Sequence, residues 1–482
     1  MTLLICIFDF LCAKRKVDFY VLYFDIETDG LLDTVSKLHC MCIYDDVSDK
    51  MYRYNPDTVS DGVKMLIKAV NNNVHICGHN IINFDIPALE KLYPEFKVPY
   101  DKHYLIVDTL VVARLVYSNI DTIDLGLMRS GKLPKPLYKS QSLKAWGYRL
   151  GELKGTYGEQ EEAWAVYNDE MLDYNEQDVI VTKALADKLN KANYSETAIT
   201  LEHDVAWLMA KQERNGFPFN IEKARELEVT LRGRQSVLEA TLISKVPKIP
   251  DKIFIPKRDN KRLGYKKGVP IQRYKDFNPN SRKQIEYVVR TMYKYNPECL
   301  DLYDIPDTND VQDLNDYRLK IDDETFKYIK EDKKAPKELR ELAGVLEESL
   351  LVGKRLGQLA DGKNAWLTAY NTTTGCIHGR VIPNGAVSGR ATHSSPNVAQ
   401  VPSINSPYGK ECRELFNAGR NWWQAGIDAS GLELRCLAHF LAPYDNGEYA
   451  HEILNGDIHT KNQIASGLPT RNDAKRFIYC FL

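Results

Sequence analysis

The sequence predicts an α/β domain, then a mostly helical stretch, then an α+β portion. Three observations predict this. Val21-Leu-Tyr-Phe-Asp25-Ile-Glu27 and Val74 through Cys77 read as short strands among helical patterns. From Leu201 the period changes to that of long amphipathic helices. Near the C-terminus, Trp422 through Ile427 reads as a strand that delivers Asp428, followed by a tight turn and an apolar helix.

Length and composition set the bounds. A chain of 482 residues has room for two to four domains, and 44% apolar with 27% charged residues is a globular composition. The net charge of -2 hides local contrast and does not exclude a polyanionic partner. No stretch is apolar for long enough to span a membrane, so no membrane partner is expected. The ten cysteines show no repeated metal-ligand spacing and are read as reduced thiols, with Cys40 and Cys42 on one strand face in the core. Residues 3–12 carry Asp9, and their basic flank follows the apolar run, the wrong order for a signal peptide. A disordered extension is expected over 1–19; Met1 is the only methionine before Met41, so Val17 and Val21 are alternative starts.

In the first strand Asp25 and Glu27 are two residues apart and share a face. Two adjacent carboxylates repel unless a cation lies between them. A second acid, Asp85, follows the Val74–Cys77 strand in His79-Asn80-Ile-Ile-Asn-Phe-Asp85 and opens a helix. A third piece, Tyr174-Asn-Glu-Gln-Asp178, places Tyr174 and Asp178 on one helical face. Taken singly, each has a bland reading as a solvated or dipole-stabilised acid. Together they can hold two hard divalent cations about 4 Å apart, which activate a water and stabilise the leaving oxygen of a phosphodiester. Tyr174, one turn from Asp178, can orient that water. Asp108 is read as a helix cap, and Trp146 as core.

These segments resemble the 3′–5′ proofreading exonuclease domain of DNA polymerases. Asp25-Ile-Glu27-Thr matches its first motif, Asn80 through Asp85 its second and Tyr174 through Asp178 its third. The resemblance implies a ribonuclease H-like mixed sheet flanked by helices over 20–195. It assigns catalysis to Asp25, Glu27, Asp85, Tyr174 and Asp178, the four acids being metal ligands, and it implies two Mg2+ per site, with Mn2+ as a substitute.

In the middle, helices are expected over 201–211, 221–242 and 339–360, with a breaker-rich turn at Asn215-Gly216-Phe217-Pro218. Residues 245–275 form a basic loop in which Lys257, Arg258, Lys261 and Arg262 stand among further Lys and Arg, against Asp251 and Asp259. It reads either as a solvated loop or as an electrostatic contact to DNA phosphates.

In the last third, Ser388-Gly-Arg390-Ala-Thr-His and Asn397-Val-Ala-Gln400 form a small-residue loop able to approach a duplex backbone, with Arg390 reaching a minor-groove acceptor. Thr470 is a good helix N-cap with Asp473 three residues on. Arg471, Lys475 and Tyr479 then form one stripe at helical spacing, two cations for a polyanion and a ring to stack on a base. From Val21 to the end these segments resemble family A DNA polymerases, most closely those of short-tailed, T-odd-type phages. The resemblance makes Asp428 the palm carboxylate for both catalytic metals and Glu433 the gate beneath the sugar. It makes His459, Arg471 and Lys475 the triphosphate ligands and Tyr479 the residue that packs on the incoming nucleotide. Arg390 becomes a minor-groove sensor, with Gln400 beside it on DNA.

The implied domains are exonuclease at 20–195, thumb with the basic loop at 196–370, and an incomplete palm with the start of the fingers at 371–482. The family continues past the position of Leu482 and supplies a second palm aspartate; Cys480 stands where it has glycine. Synthesis is therefore expected to need a second polypeptide carrying the rest of the palm and fingers. The loop at 245–275 is shorter than the insertion that recruits thioredoxin in the phage enzymes, so thioredoxin is not expected as a partner. The expected partners are primer–template DNA, single-stranded 3′ ends and dNTPs, in the cytoplasm of an infected bacterium. Two alternatives remain: a stand-alone 3′–5′ exonuclease with a DNA-gripping polymerase remnant, and an inactive DNA-binding relic.

Overall fold

A computed structural model describes residues 20–160, 162–296, 319–419 and 421–481. The extension expected at 1–19 and the terminal Leu482 lie outside the described residues. The chain divides into two compact units, with the boundary between Asn417 and Ala418.

The first unit opens with a five-stranded sheet. Its strands are β1 (Val21–Thr28), β2 (Leu38–Asp45), β3 (Lys50–Tyr54), β4 (His75–Gly78) and β5 (Ile106–Asp108), in the order β3-β2-β1-β4-β5. β1 pairs antiparallel with β2 and parallel with β4, so the sheet is mixed. The helices are α1 (Val59–Asn71), α2 (Asp85–Leu92), α3 (Thr109–Val116), α4 (Ile120–Arg129), α5 (Leu143–Leu150) and α6 (Asp169–Lys191). One sheet face packs Leu22, Phe24, Met41 and Ile43 against Val63, Leu66 and Ile86. The other packs Tyr23, Cys40, Cys42 and Cys77 against Met171, Val179 and Ala186. Strict alternation along β1 and β2 produces these two faces. Trp146 is fully buried, and its indole N–H donates to Gln141 Oε1 at 2.9 Å.

Asp108 is fully buried and acts as a cap. Its carboxylate accepts the N–H groups of Asn80 at 2.8 Å, Ile82 at 3.1 Å and Leu110 at 2.9 Å. Its own N–H donates to His203 Nε2 at 2.9 Å, on the next helix, α7 (Glu196–Asn215). α7 ends at Gly216, whose φ of +68° is one that glycine tolerates, and an added Cβ would lie 2.8 Å from Cys376 Cβ.

The long helices follow as α8 (Ile221–Lys245), α9 (Asp323–Glu331) and α10 (Lys337–Leu356). α8 and α10 pack through Leu231, Leu238, Val352 and Leu356. The segment expected as a loop at 245–275 is instead an antiparallel ribbon of β6 (Ile249–Phe254) and β7 (Ile271–Lys275). The ladder forms because the two segments come into antiparallel register, Ile249 opposite Lys275 and Phe254 opposite Ile271. The Arg273 guanidinium lies 4.1 Å from the Phe254 ring centroid. Lys257, Arg258, Lys261 and Arg262 are exposed in the connection between the strands. A hairpin of β8 (Arg380–Ile382) and β9 (Thr392–Ser394) carries exposed Arg390 in its connection, two residues before β9.

The second unit contains α11 (Leu432–Asp445), α12 (Glu448–Asn455), α13 (Ile458–Ser466) and α14 (Arg471–Phe481). The strand expected to deliver Asp428 does not form: residues 422–429 have no regular structure, and Trp423 and Ile427 are each 97% exposed. A strand needs a ladder partner, and among the described residues this segment has none. No helix among the described residues is long and apolar enough to cross a membrane.

Candidate carboxylate cluster and nucleotide-binding group

Asp25 and Glu27 point to one face near the C-terminal end of β1, opposite Cys42 and Cys40 of β2. α6 crosses that face and adds Asp178, so Asp25, Glu27 and Asp178 offer carboxylate oxygens within 4.8 Å of one another. Among the described residues this is the one group of three acids able to hold a metal ion. Asp85, the first residue of α2, is 4% exposed and lies in the field of Asp108 and Asp178. Tyr174, one turn before Asp178, sits in an aromatic box with Tyr157 and Trp164, each ring centroid 5.9 Å from its own.

The electrostatics report the crowding. Burial first, then Asp178, Asp85 and Glu27, hold Asp25 well above the ordinary carboxylate range. Burial and Asp178 do the same to Glu27. Burial pushes Asp85 up to about 8, and Asp178 up to about 6 despite its cationic neighbour. Such shifts mark a site that favours either protons or cations. Asp178 Oδ1 and Asn175 Oδ1 are buried with no hydrogen-bond partner, an arrangement that a cation's coordination shell satisfies. The oxygen-only donor set suits hard divalent ions.

Sequence reasoning passed over two members of this site. Asn175, fully buried on α6, donates to Asp25 Oδ2 at 2.7 Å. It falls inside Tyr174-Asn-Glu-Gln-Asp178, so its adjacency to both was the available signal. Lys154, from the segment between α5 and α6, forms an ion pair with Asp178, and its ammonium lies 4.6 Å from the Tyr174 ring centroid. Nothing in its own spacing distinguishes it from other lysines.

The second unit assembles a different group. Asp457 caps α13, accepting the His459 N–H at 3.1 Å. It also receives a bidentate pair from Arg471, Nε at 2.8 Å and Nη2 at 2.9 Å. Thr470 and Asp473 form the expected cap of α14, with Thr470 Oγ1 donating to Asp473 Oδ2 at 2.6 Å and the Asp473 N–H donating back at 3.1 Å. The His459 ring lies 6.2 Å from that of Tyr479. Burial, then Arg471 and Lys475, hold His459 below the ordinary histidine range. His459, Arg471, Lys475 and Tyr479 are therefore brought together. Glu433, in the first turn of α11, and Asp428 are exposed, and Asp428 belongs to no carboxylate group able to hold a metal among the described residues. In the first unit, Gln400 is exposed in a short turn, and its carbonyl accepts Gln358 Nε2 at 3.1 Å.

Known proteins bear on both groups. Residues 22–190 match the RNase H superfamily, and residues 267–482 match DNA polymerase family A. The DNA-directed DNA polymerase of Escherichia phage T7 is 41% identical over 550 aligned positions, covering 95% of this chain and 75% of that protein. That of Enterobacteria phage T3 is 40% identical with the same coverage. The aligned span exceeds the 482 residues of this chain, so these relatives carry segments that it lacks. A solved structure, the POL domain of Pol1 from M. smegmatis in complex with DNA primer-template and dNTP, shares the fold with a TM-score of 0.55 at 15% identity. It is covered to 67%, and this chain to 96%. The chain belongs to family A of the DNA polymerases and carries an RNase H-like domain before its polymerase region.

Proposed function

We propose that the chain is a phage replicative DNA-directed DNA polymerase whose residues 20–195 are a 3′–5′ proofreading exonuclease. The observation that carries the exonuclease reading is the convergence of Asp25, Glu27 and Asp178, with Asp85 and Tyr174 beside them. Asp25, Glu27, Asp85 and Asp178 hold two Mg2+, for which Mn2+ substitutes. When bound, these ions activate a water and stabilise the leaving oxygen of the scissile phosphodiester. Asn175 fixes the Asp25 carboxylate through its 2.7 Å bond. Tyr174, whose ring is held by Tyr157 and Trp164, would orient that water. The substrate is a single-stranded 3′ end.

For synthesis, Asp428 is the palm metal ligand and Glu433 the gate under the sugar. His459, Arg471 and Lys475 bind the dNTP triphosphate, and Tyr479 packs on its base. The proximity of these last four within one unit supports that part. Arg390 and Gln400 contact the primer–template. Lys257, Arg258, Lys261 and Arg262, exposed between β6 and β7, meet its phosphates within a thumb at 196–370, ahead of a palm and fingers segment at 371–482. The site of action is the cytoplasm of the infected bacterium.

The test is degradation of a 3′-labelled single strand by the purified chain in Mg2+, beside Asp25→Ala/Glu27→Ala. An inert wild-type chain that still binds Mn2+ would sink the exonuclease reading.

A further inference from the structure

Lys154 lies among the carboxylates without belonging to any motif. Its side chain is 13% exposed and that of its partner Asp178 is 5% exposed, so the ion pair is largely removed from water. Its place is built into the backbone. At Gly147 of α5 an added Cβ would lie 2.6 Å from the Glu152 carbonyl oxygen and 3.5 Å from the Lys154 nitrogen, so only glycine lets the 152–154 segment run this close to the helix. At Gly155 an added Cβ would meet the Tyr174 ring at 3.6 Å. The chain therefore lays Lys154 over α6, with its ammonium between Asp178 and the face of Tyr174.

One ammonium cannot balance this site. Asp25, Glu27, Asp85 and Asp178 can carry four negative charges, and the field of Lys154 reaches Asp25 and Glu27 as well as Asp178. A divalent ion on Asp178 must displace that ammonium from the carboxylate or share it. Once displaced, the ammonium stays tethered beside Tyr174, which with Leu153, Gly155 and Thr156 lines an open pocket. The anion that arrives there is the scissile phosphate.

We propose that Lys154 has two successive partners: it is the counter-ion of Asp178 in the metal-free site, competing with the divalent cation, and then contacts a non-bridging oxygen of the scissile phosphate. This rests on the exonuclease reading above. In the intact chain, Lys154→Met and Lys154→Arg are compared with wild type. Mn2+ affinity is followed by electron paramagnetic resonance without DNA, and turnover is measured on a 3′-labelled single strand at saturating Mn2+. For Lys154→Met the expected Mn2+ affinity is about tenfold tighter, because the competitor is gone. Its turnover falls by about 10²-fold, the size of one missing charge-stabilising donor, with KM changed far less. Lys154→Arg restores part of the turnover. Unchanged Mn2+ affinity in Lys154→Met overturns the competition, and unchanged turnover overturns the phosphate contact. Weaker Mn2+ binding with a lowered melting temperature makes Lys154 a structural strut and overturns both. A wild-type chain that binds Mn2+ but leaves DNA intact fails the exonuclease reading, and the Mn2+ comparison still decides the competition.

Discussion

The carboxylate cluster and the Arg471–Tyr479 group are built on opposite principles. Asp25, Glu27 and Asp178 are fixed by a sheet and a helix that share one core, and buried Asn175 holds Asp25 in place. Arg471, Lys475 and Tyr479 stand on a mostly exposed helix, and Asp428 lies in a segment with no ladder partner among the described residues. The cluster tolerates its own repulsion because packing holds it. The exposed group is held by local devices, the Thr470–Asp473 cap and the Asp457–Arg471 fork. Burial makes charges expensive and therefore diagnostic; exposure leaves them cheap and less informative.

Breaking each side separates the two designs. The largest effect is expected for Asp25→Ala/Glu27→Ala, which removes two of the proposed metal ligands. Exonuclease turnover should fall by about three orders of magnitude, the several kcal/mol that bound metals contribute at about 1.4 kcal/mol per decade. Primer binding, read by fluorescence anisotropy in Ca2+, should stay unchanged. Next, neutralising Lys257, Arg258, Lys261 and Arg262 together should flatten the dependence of log K for duplex DNA on log salt, by roughly 0.9 for each phosphate that is no longer neutralised. An unaltered slope would leave the ribbon a solvated surface.

Asp457→Ala is predicted to act more gently. Arg471 loses its bidentate partner, and Asp457 is held below the usual carboxylate range chiefly by Arg471. A freed Arg471 is available to a triphosphate, so dNTP affinity should change by about tenfold or less, with little change in melting temperature. Weakened dNTP binding would show that Asp457 positions Arg471 rather than masking it.

The smallest effect concerns pH. Asp85 is raised to about 8 and Asp178 to about 6, so between about pH 4 and 8 these two carboxyls bind more protons in the folded chain than in the unfolded one. Without metal, the stability that these two groups contribute is fully present below that unfolded value and is lost as pH rises toward 8. Scanning calorimetry at pH 5.5 and 8 should show the higher melting temperature at the lower pH. Mg2+ should shrink the gap, because it takes over the role of the protons.

Much of the buried site was legible. A spacing of two on β1 and of four on α6 is enough to put Asp25 with Glu27, and Tyr174 with Asp178, on common faces. Asp108 as a cap and Trp146 as core also followed from local pattern. Lys154 did not, because its place depends on how Gly147 lets the 152–154 segment pass close to α5, which brings Lys154 to Asp178 on α6. The ribbon at 249–275 was obscured by its prolines and charges, which read as loop until the two segments are seen in register. Trp422 through Ile427 erred the other way: the run has strand composition, but a strand exists only with a partner.

By itself the sequence determined the mixed α/β start, the long helices that follow, the shared faces of Asp25 with Glu27 and of Tyr174 with Asp178, and the cationic stripe of α14, since each depends on periodicity along one segment. The tertiary structure alone decided that three acids converge within 4.8 Å, that Lys154 and Asn175 join them, that Asp457 holds Arg471, and that Asp428 stands exposed. The reason is physical: a side chain's face is set by its neighbours in the chain, whereas its charge partners and its desolvation are set by whatever the fold brings across from elsewhere.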